Sequence, residues 1–319
     1  MSKVQTISFA IPVYRNERAV SLTYAKIKGA MAQDLAGYDY EFVFVDDGSD
    51  DNSLAELRRL REDDPRVRIV SFTRNFGQMA AILAGLKYAS GDLIVHLSAD
   101  LQDPVELIPR MVKAFEEGSE LVIGHRAERE DNWTSRITSR LFYRIVRMSF
   151  PEMPRGGFDY VLMGRRVVDS FNGIEVRNRF FQGDLLWMGY KTTFIPYTRA
   201  KRTIGRSQYT FAKRLKNSID AILDSSYLPI RFISLAGAFT ALTGFLYALN
   251  IAYTRFRHDT PFTGWAPIMI LILIIGGVIM LMLGIIGEYI WRIYDEVKRK
   301  PNYVVGAVYG DPVPKPPTE

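Results

Sequence analysis

The chain has 319 residues, a formal charge of +6 with Lys and Arg spread along its length, and no cysteine. The length suits one large domain or two smaller units, and the lack of a long basic tract speaks against a nucleic-acid partner. Disulfides, thiolate nucleophiles and cysteine-ligated zinc are excluded, and the opening Met1-Ser2-Lys3-Val4-Gln5 lacks the apolar stretch of a signal peptide.

In chain order, short apolar runs predict strands at 6–12, 41–46, 67–72, 92–97 and 121–124. Helical stretches fall between them, at roughly 17–35, 53–63, 77–89 and 104–117. Ser53 and Glu56 have the spacing of a capping box, and Asp103-Pro104 sets a cap residue before a proline. Strands alternating with helices predict an α/β fold, a mostly parallel sheet covered on both faces. Trp133, Trp187 and His96 read as core residues, and His125 lies at the end of the fifth strand.

Farther along, 232–253 and 267–287 carry no charged side chain. Each run is roughly 20 residues, the length of a membrane-crossing helix. Lys213, Arg214, Lys216 and Arg231 precede the first run, and Arg292, Lys298, Arg299 and Lys300 follow the second. The only basic residues of the link between them are Arg255, Arg257 and His258. By the positive-inside rule both flanks face the cytoplasm. The expected protein is multi-pass in the plasma (inner) membrane. Residues 1–210 form a cytoplasmic catalytic domain, 229–292 a two-helix hairpin and 293–319 a cytoplasmic tail. The basic and apolar stretch 211–228 fits a helix in the membrane interface, and nearly as well an ordinary soluble amphipathic helix. Glu288 and Arg292 are spaced for a local ion pair, with a lipid-phosphate contact through Arg292 as the sharper reading.

In such sheets ligands sit at the carboxyl ends of the strands. The first four predicted strands end in Pro12-Val13-Tyr14-Arg15-Asn16-Glu17, Asp46-Asp47-Gly48-Ser49, Arg74-Asn75-Phe76-Gly77 and Ser98-Ala99-Asp100-Leu101-Gln102-Asp103-Pro104. Carboxylates gathered on neighbouring ends repel one another, and a bound cation is the simplest reason to assemble them. Asp100 and Gln102 offer oxygen ligands two residues apart, suited to Mg²⁺ or Mn²⁺ shared with a diphosphate. No Walker loop occurs, and no Gly-x-Gly-x-x-Gly follows the first strand, which argues against a P-loop NTPase or a dinucleotide dehydrogenase.

These residues, in this order, resemble the signature of GT-A fold, family 2 glycosyltransferases: Pro12-Val13-Tyr14-x-Asn16-Glu17, Val45-Asp46-Asp47-Gly48-Ser49 and Ala99-Asp100-Leu101-Gln102-Asp103-Pro104. Arg74-Asn75-Phe76-Gly77 and Gly284-Ile285-Ile286-Gly287-Glu288-Tyr289-Ile290-Trp291-Arg292 resemble, more narrowly, the polyprenyl-phosphate glycosyltransferases. That group includes dolichol-phosphate mannose synthases, bactoprenol glucosyltransferases and the undecaprenyl-phosphate aminoarabinose transferase. The resemblance implies that Pro12, Tyr14, Glu17, Asp46, Asp47, Arg74, Ser98 and Arg126 contact a nucleotide-sugar. It implies Asp100 and Gln102 for the metal, with Asp159 and Asp100 catalytic. Arg199, Arg202, Ser207 and Tyr209 would face the phosphate of the lipid acceptor. Two positions depart from the pattern: Ser98 stands where the family has a first Asp of Asp-x-Asp, and Gln208 where it has Lys, with Arg206 as a substitute cation.

The implied activity is inverting transfer of a sugar, from a UDP-sugar by preference, to undecaprenyl or other polyprenyl phosphate, for cell-envelope glycan or lipid modification. The acceptor phosphate is already anionic near neutral pH, so Asp159 would orient it more than deprotonate it. The implied partners are the donor, the acceptor, the bilayer and further copies of the chain. A processive polysaccharide synthase is the weaker enzymatic alternative, because its Gln-x-x-Arg-Trp motif is absent; the nearest segment is Phe181-Gln182-Gly183-Asp184-Leu185-Leu186-Trp187. A catalytically degenerate scaffold is the non-enzymatic alternative, motivated by Ser98.

Overall fold

The structure is a computed structural model of the whole chain that describes residues 5–126, 144, 146–154, 156–176, 179–198, 228–257 and 266–310. The chain divides into two compact units, Met1–Ile222 with Pro301–Glu319, and Leu223–Lys300.

In the first unit the strands are β1 (Thr6–Val13), β2 (Asp39–Asp46), β3 (Val67–Phe72), β4 (Leu93–His96), β5 (Leu121–Arg126), β6 (Tyr160–Gly164), β7 (Thr192–Tyr197) and β8 (Val305–Tyr309). They form one sheet in the order β7-β5-β6-β4-β1-β2-β3-β8. The β1 run Thr-Ile-Ser-Phe-Ala-Ile-Pro-Val is almost wholly buried, as a central parallel strand must be. β1, β2, β3 and β4 are parallel neighbours, as are β5 and β7. β6 runs antiparallel between β4 and β5, and β8 antiparallel along β3.

From β1 the chain builds outward through β2 and β3, then returns to place β4 on the other side of β1. The sheet therefore reverses direction between β1 and β4, where open α/β sheets leave a crevice for ligands. The β1–β4 ladder stops at Ala10 opposite His96, although β1 continues to Val13. Val13 accepts the Asp47 N–H on the β2 side, so its alternate neighbour Pro12 faces the side where β4 has ended. A proline costs no ladder bond there, and the strands part at that point.

The helices are α1 (Val20–Asp34), α2 (Ser53–Asp63), α3 (Gln78–Tyr88), α4 (Ile108–Glu116), α5 (Arg165–Asn172) and α6 (Phe181–Trp187). One core joins Phe9, Ile11, Phe42 and Phe44 to Ile27, Leu57 and Met111 of α1, α2 and α4. The other joins Ala10, Val43 and Val70 to Leu86, Phe171 and Leu185 of α3, α5 and α6. Gly85 lets α3 lie close over β1, since a Cβ there would stand 3.2 Å from that of Ala10.

The predicted strands and the helices between them are present, with local differences. The expected helix over 104–117 opens as a 3-10 turn, Val105–Leu107, and becomes α-helical at Ile108 with a proline in its first turn. The Ser53–Glu56 capping box does not form. Ser53 Oγ accepts the Asn16 N–H at 2.8 Å, and Asp51 accepts the Ser53 N–H at 3.0 Å. Trp187 is 73% exposed, not core; its place at the last residue of short α6 carries it past the packed face. Residues 305–309, expected within a tail, supply β8.

The second unit holds α7 (Leu228–Phe256) and α8 (Ala266–Val297). Among the described residues one stretch, Ile274–Val297, is long and apolar enough to cross a membrane, and Leu235–Tyr247 is a shorter apolar stretch. The expected pair of spans is thus matched once by length and composition. Thr240 and Thr243 satisfy their hydroxyls by donating to the carbonyls of Ala236 and Phe239 one turn back, at 2.8 and 2.9 Å. Both helices expose large apolar side chains, among them Phe239, Phe245, Met280 and Leu281. Arg292 pairs with Glu288 at 3.3 Å, the local reading of that spacing.

Candidate active site

At the β1 end the chain turns sharply: Arg15 has φ +54, and the Tyr14 N–H donates to Asn16 Oδ1 at 3.0 Å. Arg15 lies over the Tyr14 ring and pairs with Asp50. Glu17 Oε2 accepts the Asn52 N–H at 3.3 Å, joining this turn to the start of α2.

The β2 end carries two buried carboxylates with different tasks. Asp46 accepts the Ser49 N–H and the Ser71 hydroxyl, at 3.2 and 3.1 Å. Asp47 accepts the Phe76 N–H at 2.6 Å and the Gly77 N–H at 2.9 Å, fixing the loop after β3. Burial pushes the Asp47 carboxyl up, and the two N–H bonds only partly offset it. Gly48, at φ +63, packs against the Arg74 backbone, where a Cβ would stand 2.7 Å from both Arg74 Cα and Asn75 N. The loop so held presents Arg74, exposed, with its guanidinium over the Phe76 ring at 4.5 Å.

After β4 the segment Ser98–Pro104 is pinned along its backbone. The Ser98 N–H donates to Asp103 Oδ2 at 3.0 Å, the Thr23 hydroxyl to the Ala99 carbonyl at 3.0 Å, and the Tyr160 hydroxyl to the Pro104 carbonyl at 3.2 Å. Asp103 is not a helix cap; its carboxylate turns back onto the loop. Leu101 has φ +60, a conformation that branched side chains rarely hold without surrounding support. Asp100 is buried and accepts the Gln102 N–H on Oδ1 at 3.2 Å. Among the described residues no group of three or more His, Asp or Glu side chains could enclose a metal by itself. A carboxylate and an amide suit a hard divalent ion that takes its remaining oxygens from an anionic ligand.

The opposite wall comes from β5, β6 and β7. Because β6 is antiparallel, its start lies at the same edge as the ends of the parallel strands. Asp159, immediately before β6, therefore meets Arg126 at the end of β5, with 3.5 Å between Oδ2 and the guanidinium. Burial works against the Arg126 charge, but Asp159 and Tyr197 outweigh it and raise its pKa. Tyr197, opposite Arg126 in the β5–β7 register, donates to Asp103 Oδ1 at 2.9 Å. Gln182 of α6 donates to the Phe158 carbonyl at 2.5 Å and reaches Asp159 Oδ1 at 3.4 Å. His96 is buried as expected, its Nδ1 3.1 Å from the Ala10 carbonyl, and burial lowers its pKa. His125 sits edge-on to Phe194 at 6.4 Å.

Pro12, Tyr14, Glu17, Asp46, Asp47, Arg74, Ser98, Asp100, Gln102, Arg126 and Asp159 thus all stand at one edge of the sheet, around the β1–β4 divide. Arg199, Arg202, Ser207 and Tyr209 lie outside the described residues, as do Trp133, Arg206, Gln208 and the stretch 211–227. Asp103, Tyr197 and Gln182 were not anticipated as members of the site. The Gln182 segment carries no motif that marks it, and the Asp103–Tyr197 pair is separated by 94 residues.

The chain is similar to known proteins over nearly its whole length. Residues 228–293 match the GtrB C-terminal hairpin. The chain is 40% identical over 312 residues to YkcC, an uncharacterised glycosyltransferase of Bacillus subtilis, covering 97% of this chain and 96% of that one. It is 35% identical over 301 residues to the SfII prophage-derived bactoprenol glucosyl transferase of Shigella flexneri, covering 94% and 97%. A mycobacterial protein of known crystal structure superposes with a TM-score of 0.50 at 16% identity, over 69% of this chain and 74% of that one. Residues 8–212, which contain the strand-end carboxylates, match glycosyl transferase family 2, and the chain belongs to that family.

Proposed function

We propose that this enzyme is an inverting glycosyltransferase that moves a sugar from a nucleotide-sugar, with UDP-sugars favoured, to undecaprenyl or another polyprenyl phosphate. The observation that carries the reading is that the Asp100–Gln102 loop and the Arg126–Asp159 pair stand at the same edge of the sheet, linked through the Asp103–Tyr197 bond. The bactoprenol glucosyl transferases related over nearly their whole length support the acceptor class.

In this reading Pro12, Tyr14, Glu17 and Asp46 line the nucleoside side, while Asp47 acts by holding the Arg74 loop. Asp100 and Gln102 would hold Mg²⁺ or Mn²⁺ together with the donor diphosphate. The ion, when bound, offsets the charge that grows on the departing diphosphate. Arg126 adds a fixed positive charge near that leaving group, preorganised by Asp159 and Tyr197. Asp159, with nearly half of its side chain exposed, orients the acceptor phosphate for in-line attack on the anomeric carbon. No covalent enzyme intermediate is needed when a phosphate oxygen attacks directly, and the anomeric centre inverts. Arg199, Arg202, Ser207 and Tyr209 are assigned to the acceptor phosphate.

A membrane hairpin supports the same acceptor. β8 follows α8 in the chain yet hydrogen-bonds to β3, which precedes α7. A chain that leaves one side of a bilayer and rejoins the same sheet must cross an even number of times. If Ile274–Val297 crosses, α7 supplies the return path, so the catalytic unit and β8 share the cytoplasmic side. The test mixes purified enzyme, short-chain polyprenyl phosphate, a panel of UDP- and GDP-sugars and Mg²⁺ or Mn²⁺. The expected result is a glycolipid from one donor; no product from any donor would overturn the proposal.

A further inference from the structure

We propose that Asp103 and Tyr197 form a positioning pair that sets the metal-binding loop against the Arg126 wall. The inference rests on the metal placement proposed above. Asp103 is 4% exposed, and each of its carboxylate oxygens has a separate partner. Oδ2 takes the backbone N–H of Ser98, the residue that opens the loop. Oδ1 takes the hydroxyl of Tyr197, from the far side of the sheet. Tyr197 lies beside Arg126 in register and meets the Tyr160 ring edge-on at 5.9 Å; Tyr160 in turn holds the Pro104 carbonyl. One buried carboxylate therefore couples the loop carrying Asp100 and Gln102 to β7, the strand whose Tyr197 is the register partner of Arg126 on β5. Burial beside Asp103 pushes the Tyr197 hydroxyl well above its ordinary pKa, so it stays a donor at all working pH values. The pair also fits the departure at Ser98: a loop with one carboxylate fewer depends more on being held in place.

The fold supplies its own control. Tyr24 donates to buried Asp64 at 2.7 Å, the same tyrosine–aspartate bond at the opposite edge of the sheet, before β3. The experiment compares full-length wild type, Tyr197→Phe, Asp103→Asn and Tyr24→Phe. Mn²⁺ binding in the presence of UDP is read from the electron paramagnetic resonance of free Mn²⁺, alongside transfer kinetics and thermal midpoints. Losing one hydrogen bond to a buried charge should weaken Mn²⁺ binding about tenfold in Tyr197→Phe. The metal concentration for half-activation should rise with it, while KM for polyprenyl phosphate stays unchanged. Tyr24→Phe should lower the thermal midpoint yet bind Mn²⁺ as the wild type does. Wild-type Mn²⁺ binding in both Tyr197→Phe and Asp103→Asn would overturn the inference, and so would an equal weakening in Tyr24→Phe. If the wild type binds Mn²⁺ with UDP but transfers no sugar, the proposed function fails while the positioning role is still decided by the binding readout. A wild type that binds no Mn²⁺ with UDP overturns the positioning role itself.

Discussion

Gly48→Ala should damage both the stability and the donor affinity of the enzyme, through one backbone contact. At φ +63 an alanine costs about 1–2 kcal/mol in conformational strain alone. Its Cβ would stand 2.7 Å from Arg74 Cα and Asn75 N and closer still to the Arg74 carbonyl carbon, so the loop must retreat by about 1 Å to regain ordinary contact. Neither partner is a flexible side-chain tip that can rotate away. The loop is also tied by the Asp47 bonds to Phe76 and Gly77, and by the Thr73 N–H to the Val304 carbonyl at 3.1 Å. Stretching a bond to a buried carboxylate adds about 1.5 kcal/mol, bringing the total near 3 kcal/mol. That lowers the thermal midpoint by roughly 6–12 °C for a unit of this size. Displacement of Arg74 should also raise the donor KM severalfold. Thermal melts of the detergent-solubilised enzyme and donor titrations read the two effects. Gly29→Ala, in α1 with nothing within 4 Å of the new methyl, should instead stabilise by about 0.8 kcal/mol. A Gly48→Ala enzyme with wild-type midpoint and donor KM would refute the account of this loop.

Asp64→Asn should cost about 2 kcal/mol at neutral pH, since Asp64 accepts bonds from Tyr24 and from the Arg66 side chain at 2.7, 2.8 and 2.9 Å. Burial alone would raise the Asp64 pKa, but these partners hold it well below the usual carboxylate range. Its contribution is therefore complete above the ordinary carboxylate pKa and fades as pH falls toward the folded-state value; denaturant melts of wild type and variant should draw together through that acidic window and converge only once the pH reaches the folded-state value. Tyr303→Ala removes a ring stacked on Phe72 at 4.8 Å, next to Phe76 of the Arg74 loop. It should lower stability by about 2 kcal/mol and raise the donor KM, and an unchanged KM would confine Tyr303 to a purely structural role. Arg126→Gln should reduce kcat by about 10²–10³ with a smaller change in donor KM, as read by steady-state transfer assays.

Much of this site is written locally. The Pro12–Glu17, Asp46–Ser49, Arg74–Gly77 and Ser98–Pro104 segments each follow a short apolar run, and strand-end logic places them together without knowledge of the fold. What escaped the sequence depends on distant partners. β6 (Tyr-Val-Leu-Met-Gly) and β8 (Val-Gly-Ala-Val-Tyr) are short apolar runs of only five residues each. β8 is identified as a strand by β3, which lies far upstream in the chain. Asp103 reads locally as a helix cap because a proline follows it, and only Ser98 and Tyr197 reveal its task. Asp46 and Asp47 look equivalent in sequence, yet one organises its own turn and the other the loop after β3.

The most direct test of the central claim is single-turnover transfer by the full-length enzyme from its accepted nucleotide-sugar to polyprenyl phosphate, compared with Asp100→Asn at saturating donor. The account predicts a glycolipid of inverted anomeric configuration from the wild type and a loss of at least about 10³-fold in Asp100→Asn. A retained anomeric configuration, or an Asp100→Asn enzyme as fast as the wild type, would contradict it.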